Sequence, residues 1–417
     1  MPTLSSFDWK KGAWTADGAD SLTEKTIANI CITGDWAPIR LFKDIMEEQP
    51  ESVYGDLLPV LKSADLSLVN LESPLSDHGA PVYKSGAVFK GEQHHITALT
   101  SVPFDVVTLA NNHVFDYGLD AFKDTLDVLN QNNIQWTGAG MSIKEACRPL
   151  VVDVKGIKIA IVNFSEGEDL TAAGKTAGVM GWDLSRVEDT IKTIRATIDF
   201  IIVIAHCGIE YIPFPPPYVA NAFEQMAEAG ADIVIGHHPH VPQGIQFYNQ
   251  TPICYSLGNF AFYQQTNLYY RKLGYLVNLK VNKKSLLSLE LVPYGIHDSG
   301  LSRLKEEKLP GFWNKFKEIS LPLQDKKSLN EAWHGFLHYY GRQGFFNEIS
   351  MIIEKIKTEP QKGAAMFRNR LTTLQHYHHW KDFLTCLVEG NLESSPEWSR
   401  KLIEEWLTCK TDGDRIG

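Results

Sequence analysis

From about residue 27 to residue 293 the chain repeats one pattern, in which a short apolar, often β-branched run ends abruptly in a polar cluster. The runs Asn29 to Thr33, Leu66 to Val69 and Val106 to Leu109 end in Gly34-Asp35, Asn70-Leu71-Glu72 and Asn111-Asn112-His113. Phe200 to Ala205, Ile233 to Ile235 and Ile253 to Tyr255 end in His206, in Gly236-His237-His238-Pro239-His240 and in Ser256-Leu257-Gly258-Asn259. Between them, Leu119, Phe122, Leu126 and Leu129 lie at helical spacing, as do Val219, Phe223 and Met226. Strands alternating with helices are α/β grammar, and near-continuous apolar strands predict sheet covered on both faces. Open α/β sheets place ligand sites just past the carboxyl ends of their strands, so the six polar clusters are expected to converge on one edge.

After Pro293 the pattern is helical only. Trp333, Phe336, Leu337 and Tyr340 follow i, i+3, i+4, i+7 spacing, as do Ile349, Ile352, Ile353 and Ile356, and Ser395-Pro396-Glu397 reads as a helix start with Ser as cap. The expected division is an N-terminal extension (1–26), an α/β domain (27–299) and a helical C-terminal domain (300–417). His334 and His338 in that last domain have the i, i+4 spacing of a helix-face metal pair but no evident acidic third ligand, and His376, His378 and His379 sit beside Tyr377 and Trp380, which reads as packing rather than a metal site. Its aromatic richness also offers a surface for a protein partner.

A chain of 417 residues suits two domains. Its formal net charge of -10 provides no broad basic surface for a phosphate backbone, which argues against general nucleic-acid binding. Phe7, Trp9 and Trp14 are interrupted by charges, so no signal peptide is visible, and no window reaches the roughly 18 apolar residues of a membrane span. The six cysteines are scattered, with no C-x-x-C pair. A cytoplasmic protein with reduced thiols and no membrane anchor is the expectation.

Two-metal hydrolytic sites need oxygen and nitrogen ligands from several strand ends and one carboxylate able to bridge the ions. Asp35, Glu72, Asn112, His206, His238 and His240 make up such a set. Each alone has a plain explanation: Gly34-Asp35 and Asn111-Asn112 as turns, Glu72 as a surface charge, His206 as a buried histidine. Three imidazoles within Gly236 to His240, with a proline to fix the turn, point more directly to a metal or anion site, and the joint occurrence favours a site.

Gly34-Asp35, Asn70 to Leu75, Leu109 to His113 with Asp116-Tyr117-Gly118, His206 to Tyr211, Gly236 to Val241 and Ser256 to Phe260 resemble, in order, the signature blocks of the poly-gamma-glutamate capsule synthesis (CapA) family. That family is similar to calcineurin-like metallophosphoesterases, which implies an α/β sandwich of sheets flanked by helices, here with a helical C-terminal appendage. The resemblance further implies two divalent ions (Mn, Fe or Zn), with Asp35, Glu72 and His240 around one and Glu72, Asn112, His206 and His238 around the other. It gives His113 the role of general acid or charge stabiliser, with Asp116 orienting its ring. The implied reaction is attack on phosphorus by a metal-bound hydroxide. Two departures stand out: Trp36-Ala37 follows Asp35 where those enzymes carry D-x-H, and the bridge is Glu72 rather than Asp. Glu210 and Tyr211 are candidates for lining the cleft of an anionic small-molecule or polymer substrate. The competing functions are a phosphoester hydrolase, a non-catalytic accessory or binding protein for poly-gamma-glutamate or another anionic polymer, and a hydrolase of the gamma-glutamyl bond.

Overall fold

The structure is a computed structural model, and it describes residues 2–17, 27–102, 104–167 and 174–411. Its strands, in chain order, begin with β1 (Ala13–Thr15), β2 (Ala28–Ala37), β3 (Leu66–Leu71), β4 (Val106–Thr108), β5 (Gln135–Thr137) and β6 (Ala139–Gly140). Then come β7 (Leu150–Val154), β8 (Ile157–Ser165), β9 (Gly178–Val179), β10 (Phe200–His206), β11 (Ile233–His237) and β12 (Pro242–Tyr248). The last are β13 (Thr251–Leu257), β14 (Asn259–Phe262), β15 (Leu273–Val281), β16 (Leu286–His297) and β17 (Gly300–Arg303).

One sheet runs β1-β16-β15-β2-β3-β4-β5, with β14 also on β2 and β17 on β16; the other runs β12-β13-β11-β10-β8-β7. Parallel pairing holds β2, β3, β4 and β5 together in the first, and β8, β10, β11 and β13 in the second. The α/β sandwich flanked by helices is therefore present. The six clusters sit not on one edge but on the facing carboxyl ends of two sheets, three on each.

Alternation along the strands explains the layering. Ile30, Ile32, Leu66, Leu68 and Val106 share a core with Ile159, Ile161, Ile202, Ile204 and Tyr255 of the second sheet. Cys31, Val69, Leu71 and Val107 point the other way, against Phe42, Met46, Phe122 and Leu129 of the covering helices. Each such fully buried aliphatic side chain contributes about 1.5–3 kcal/mol relative to exposure. Asn163 of β8 ties the two sheets at the site: its Oδ1 accepts from the Ala110 N–H at 2.8 Å, and its Nδ2 donates to the Ile204 carbonyl at 3.1 Å.

Both ends of the expected α/β domain shift. Within the expected extension, Phe7 and Trp14 are buried in the inter-sheet core and β1 pairs with β16, so this segment is part of the first sheet; residues 18–26 lie outside the described residues. At the other end β17 continues that sheet to Arg303, and the first long helix after it is Leu309–Ser320. Beyond lie the helices Lys326–Tyr340, Phe346–Thr358, Pro360–Thr372, Leu374–Glu389 and Glu397–Thr408. Ser395 makes no capping bond, and Pro396 occupies the N-cap position of the last helix. Of the isoleucines at helical spacing, Ile352 is buried while Ile353 and Ile356 are exposed. No helix among the described residues is long and apolar enough to cross a membrane, and all six cysteines are free thiols.

Candidate metal centre

Strand register brings the first three clusters together. Asp35 on β2 is paired with Asn70 on β3, so Glu72 leaves β3 immediately beyond it. Gly34 is required by the crossing of backbones here, since a Cβ at that position would lie 2.2 Å from the Gly258 carbonyl oxygen. On the second sheet His206 of β10 pairs with His237 of β11, and the chain then turns sharply through His238 (φ 97°) and His240 (φ 57°). Left-handed backbone at two non-glycine residues costs free energy that only a strongly determined site retains.

The six predicted donors are brought together, none more than 7% exposed. His206 Nε2 lies 2.9 Å from Asn112 Oδ1, 3.3 Å from Glu72 Oε1 and 3.2 Å from His238 Nδ1. A single proton on that nitrogen can satisfy only one of the three. His240 Nδ1 donates to Asn259 Oδ1 at 2.9 Å and lies 3.4 Å from Asp35 Oδ2, while its Nε2 is 3.9 Å from Glu72 Oε1. Asp35, Glu72 and His206 form one potential chelating group, and Glu72, His238 and His240 a second that shares the glutamate.

Glu72 decides whether this set fits a cation. Both of its oxygens and Asp35 Oδ2 are buried without a hydrogen-bond partner among the described residues. Burying a carboxylate that accepts nothing is prohibitive unless it is neutralised or coordinated. Burial, then the negative charges of Asp35 and Glu210, push the Glu72 carboxyl well above the usual carboxylate range. Asp35 goes the other way: burial would raise it, but the adjacent His240 imidazole, 3.4 Å from Oδ2, and the imidazoles of His237 and His206 outweigh burial. Burial and the neighbouring His238 drive His206 far below the ordinary imidazole value, so it is neutral and able to donate a lone pair. Mixed nitrogen and oxygen donors around a shared carboxylate fit divalent first-row metals.

His113 and Asp116 form a dyad at the rim. His113 Nδ1 donates to Asp116 Oδ2 at 2.6 Å, and its Nε2 lies 4.0 Å from Glu72 Oε1. Burial would raise Asp116, but the charge and hydrogen bond of His113 and the Lys84 ammonium hold it below the usual range. The buried Lys84 donates to Asp116 Oδ1 at 3.1 Å and to the Asn112 carbonyl at 2.6 Å. Glu210 and Tyr211 lie on the same side: the Tyr211 ring is 6.0 Å from the His240 ring, and the Arg271 guanidinium sits 3.4 Å over it. Burial would raise Glu210, but His240 and His238 lower it below its ordinary value.

Several participants escaped sequence reasoning. Asn70 Nδ2 donates to Asp35 Oδ1 at 2.7 Å and reaches His206 Nδ1 at 3.2 Å. Asn111 Oδ1 accepts from the His113 and Val114 N–H groups, turning the chain so that Asn112 and His113 face inward. Asn259 orients His240 through its side chain. His237 has its Nδ1 3.6 Å from Asp35 Oδ1, and neither ring nitrogen has a hydrogen-bond partner among the described residues. It therefore stands beside the carboxylate whose D-x-H imidazole is missing from the sequence. A separate grouping of Glu47, His94 and His95 lies elsewhere; there His95 Nδ1 accepts from the Glu92 N–H, which leaves the ring proton on Nε2.

A model of the bacterial capsule synthesis protein family PGA_cap matches residues 29–264. The chain belongs to this family. The PGA biosynthesis protein CapA of Bacillus subtilis (strain 168) is 28% identical over 312 residues, which cover 74% of this chain and 80% of that protein. The capsule biosynthesis protein CapA of Bacillus anthracis is 29% identical over 280 residues, 64% of this chain and 67% of that one. A probable polyglutamine synthesis accessory protein of Mycobacterium tuberculosis (strain CDC 1551 / Oshkosh) is 26% identical over 293 residues, 64% of this chain and 76% of its own length. Among solved structures, a 5'-nucleotidase precursor from Thermus thermophilus aligns with a TM-score of 0.41 at 12% identity, over 70% of this chain and 58% of that one. The PGA_cap match contains all six donors together with His113 and Asp116, and it ends before the helical C-terminal region.

Proposed function

We propose that this chain is a divalent-metal-dependent hydrolase acting on a phosphoester or related bond of an anionic substrate, in the service of poly-gamma-glutamate capsule synthesis. The observation that supports it most is the Glu72 carboxylate, buried without a donor among the described residues at the point where Asp35, His206, His238 and His240 converge. Asp35, Glu72 and His240 would hold one cation, and Glu72, Asn112, His206 and His238 the other; Mn, Fe or Zn suits these ligands. When bound, such a pair lowers the pKa of water and polarises a phosphoryl oxygen. His113 holds a proton at Nε2 for the leaving oxygen, while Asp116 fixes the ring through Nδ1. Lys84 keeps Asp116 ionised and anchors the Asn112 backbone. Glu210 and Tyr211, with Arg271 stacked on the tyrosine, would border the substrate.

The test is metal counting on the purified protein, followed by hydrolysis of mono- and diesters by wild type and by Asp35→Ala, His113→Ala and His240→Ala. Bound cations and loss of turnover in all three variants support the hydrolase. Protein that takes up no cation and stays inert under added Mn2+ supports the accessory role instead.

A further inference from the structure

The helical C-terminal region lies outside the family match, yet it reaches the metal centre at two places. Gln375, at the start of the helix Leu374–Glu389, is buried, and its Oε1 accepts a 2.8 Å hydrogen bond from His238 Nε2. Its Nε2 donates in turn to His376 Nε2 at 3.2 Å, which sets the orientation of the amide. On the preceding helix, Lys362 Nζ donates to the Lys84 and Gly86 carbonyls at 2.9 Å each, and Arg370 Nη1 donates to Ser85 Oγ at 3.3 Å. These bonds hold the segment whose Lys84 ammonium grips Asp116 and the Asn112 backbone. Thr373 and Gln375 close, together with Asn112, Glu166, His206 and His238, a cavity of about 10 Å³, room for a single water.

His238 presents Nδ1 to the pocket, 3.2 Å from His206 Nε2. A neutral imidazole has a lone pair at Nδ1 only when its proton sits on Nε2, and Gln375 Oε1 is the acceptor that holds the proton there. We propose that Gln375 is a positioning residue of the metal centre. It locks His238 in the Nε2–H tautomer, so the C-terminal helices set the cation affinity of the His206 and His238 site. This inference rests on the cation-binding reading above.

Calorimetric titration with Mn2+ of wild type, Gln375→Leu and Gln375→Glu tests it, with metal counting and a thermal melt on each variant. Leucine removes the acceptor; glutamate keeps it. The expected result is that leucine weakens one binding step about 10–100-fold, the usual cost of losing a group that orients a metal-bound histidine, and leaves the other step alone. Glutamate should restore wild-type binding. Unchanged Mn2+ affinity in Gln375→Leu, or equal weakening in both variants, would overturn the role. Nitrogen NMR of the His238 imidazole in wild type gives a readout independent of any variant: a proton on Nε2 is expected, and a proton on Nδ1 overturns the proposal. Wild type that binds no cation would overturn the metal centre itself, whereas wild-type binding retained by Gln375→Leu overturns only the part assigned to the helices.

Discussion

The molecule holds two histidine clusters that differ in what surrounds the imidazoles. At the strand ends, His206 and His240 each approach both Asp35 and Glu72 within 4.0 Å. In the helical region His379 is equally buried, but its neighbours are rings, with Tyr340 at 4.6 Å, His376 at 5.3 Å and Phe336 at 6.1 Å between centroids. Both clusters contain nitrogens without hydrogen-bond partners. Only the first adds carboxylate oxygens in the same condition. A neutral imidazole left unpaired costs roughly 1–3 kcal/mol and can be tolerated, and burial pushes the His379 pKa down to about 3, which keeps it neutral. A buried anion without donors cannot be tolerated in the same way. Among the described residues the two clusters are thus alike in buried histidines and differ in the unpaired carboxylate oxygens that only the first contains.

The largest effect that would break this comparison is on cation binding. Glu72→Gln should lower Mn2+ affinity by more than about 100-fold, since even groups beyond the ligands are worth ~10–100-fold. The same variant, free of metal, should melt higher than wild type. Because the Glu72 pKa is raised by burial and by Asp35, its stabilising contribution is complete at low pH and is lost as pH rises through the folded value. The gain in melting temperature should therefore grow with pH and vanish when wild type is saturated with Mn2+. Unchanged affinity would place the first cluster with the second. Next in size is His113→Asn, expected to cut phosphoester turnover by about 10²–10⁴-fold while the bound-metal count stays at the wild-type value. A fall in that count would make His113 a ligand rather than an acid.

How much of this was readable beforehand depends on which interactions are local. The strands β2, β3, β4, β10, β11 and β13 fall where apolar runs stop at glycine or polar residues, because a buried strand needs such a run and cannot continue without it. That these six side chains would meet was readable because each lies at the end of such a run. The partition into two facing sheets was not, since it depends on long returns such as β14 pairing with β2 across more than two hundred residues. Nor were the supporting polar groups: Lys84 and Gln375 have no local signature, and Gln375 meets His238 from 137 positions away. The burial of Phe7 and Trp14 was not readable for the same reason, since β1 reaches the core by pairing with the distant β16.

A smaller effect comes from Glu166, which lines the cavity under Gln375. Burial pushes its carboxyl up to about 7, opposed by hydrogen bonds from the Tyr218 hydroxyl and the Gly208 N–H. A folded value above the unfolded one means that its stabilising contribution is present below the ordinary carboxylate pKa and disappears as pH rises through about 7. Glu166→Gln should therefore match wild type in thermal melts near pH 5 and exceed it near pH 8.5. The difference should be about 1–2 kcal/mol once the partial exposure of Glu166 is discounted. A constant offset across that range would mean that the carboxylate is already solvated.

The smallest effect sharpens the comparison from its other side. Among the described residues His379 makes no hydrogen bond through either nitrogen, and it lies among aromatic rings, so His379→Leu replaces an unsatisfied polar ring with an apolar group of similar volume but different shape. Removing the unpaired nitrogens favours the variant by roughly 1–3 kcal/mol, and the lost ring contacts oppose that by a similar amount. The expected net change is within about 1 kcal/mol, with Mn2+ affinity and stoichiometry equal to wild type. Loss of a bound ion in His379→Leu would show that the helical histidines act as ligands after all. Equality would leave the unpaired carboxylate of Glu72 as the feature that separates a metal site from a packed cluster of imidazoles.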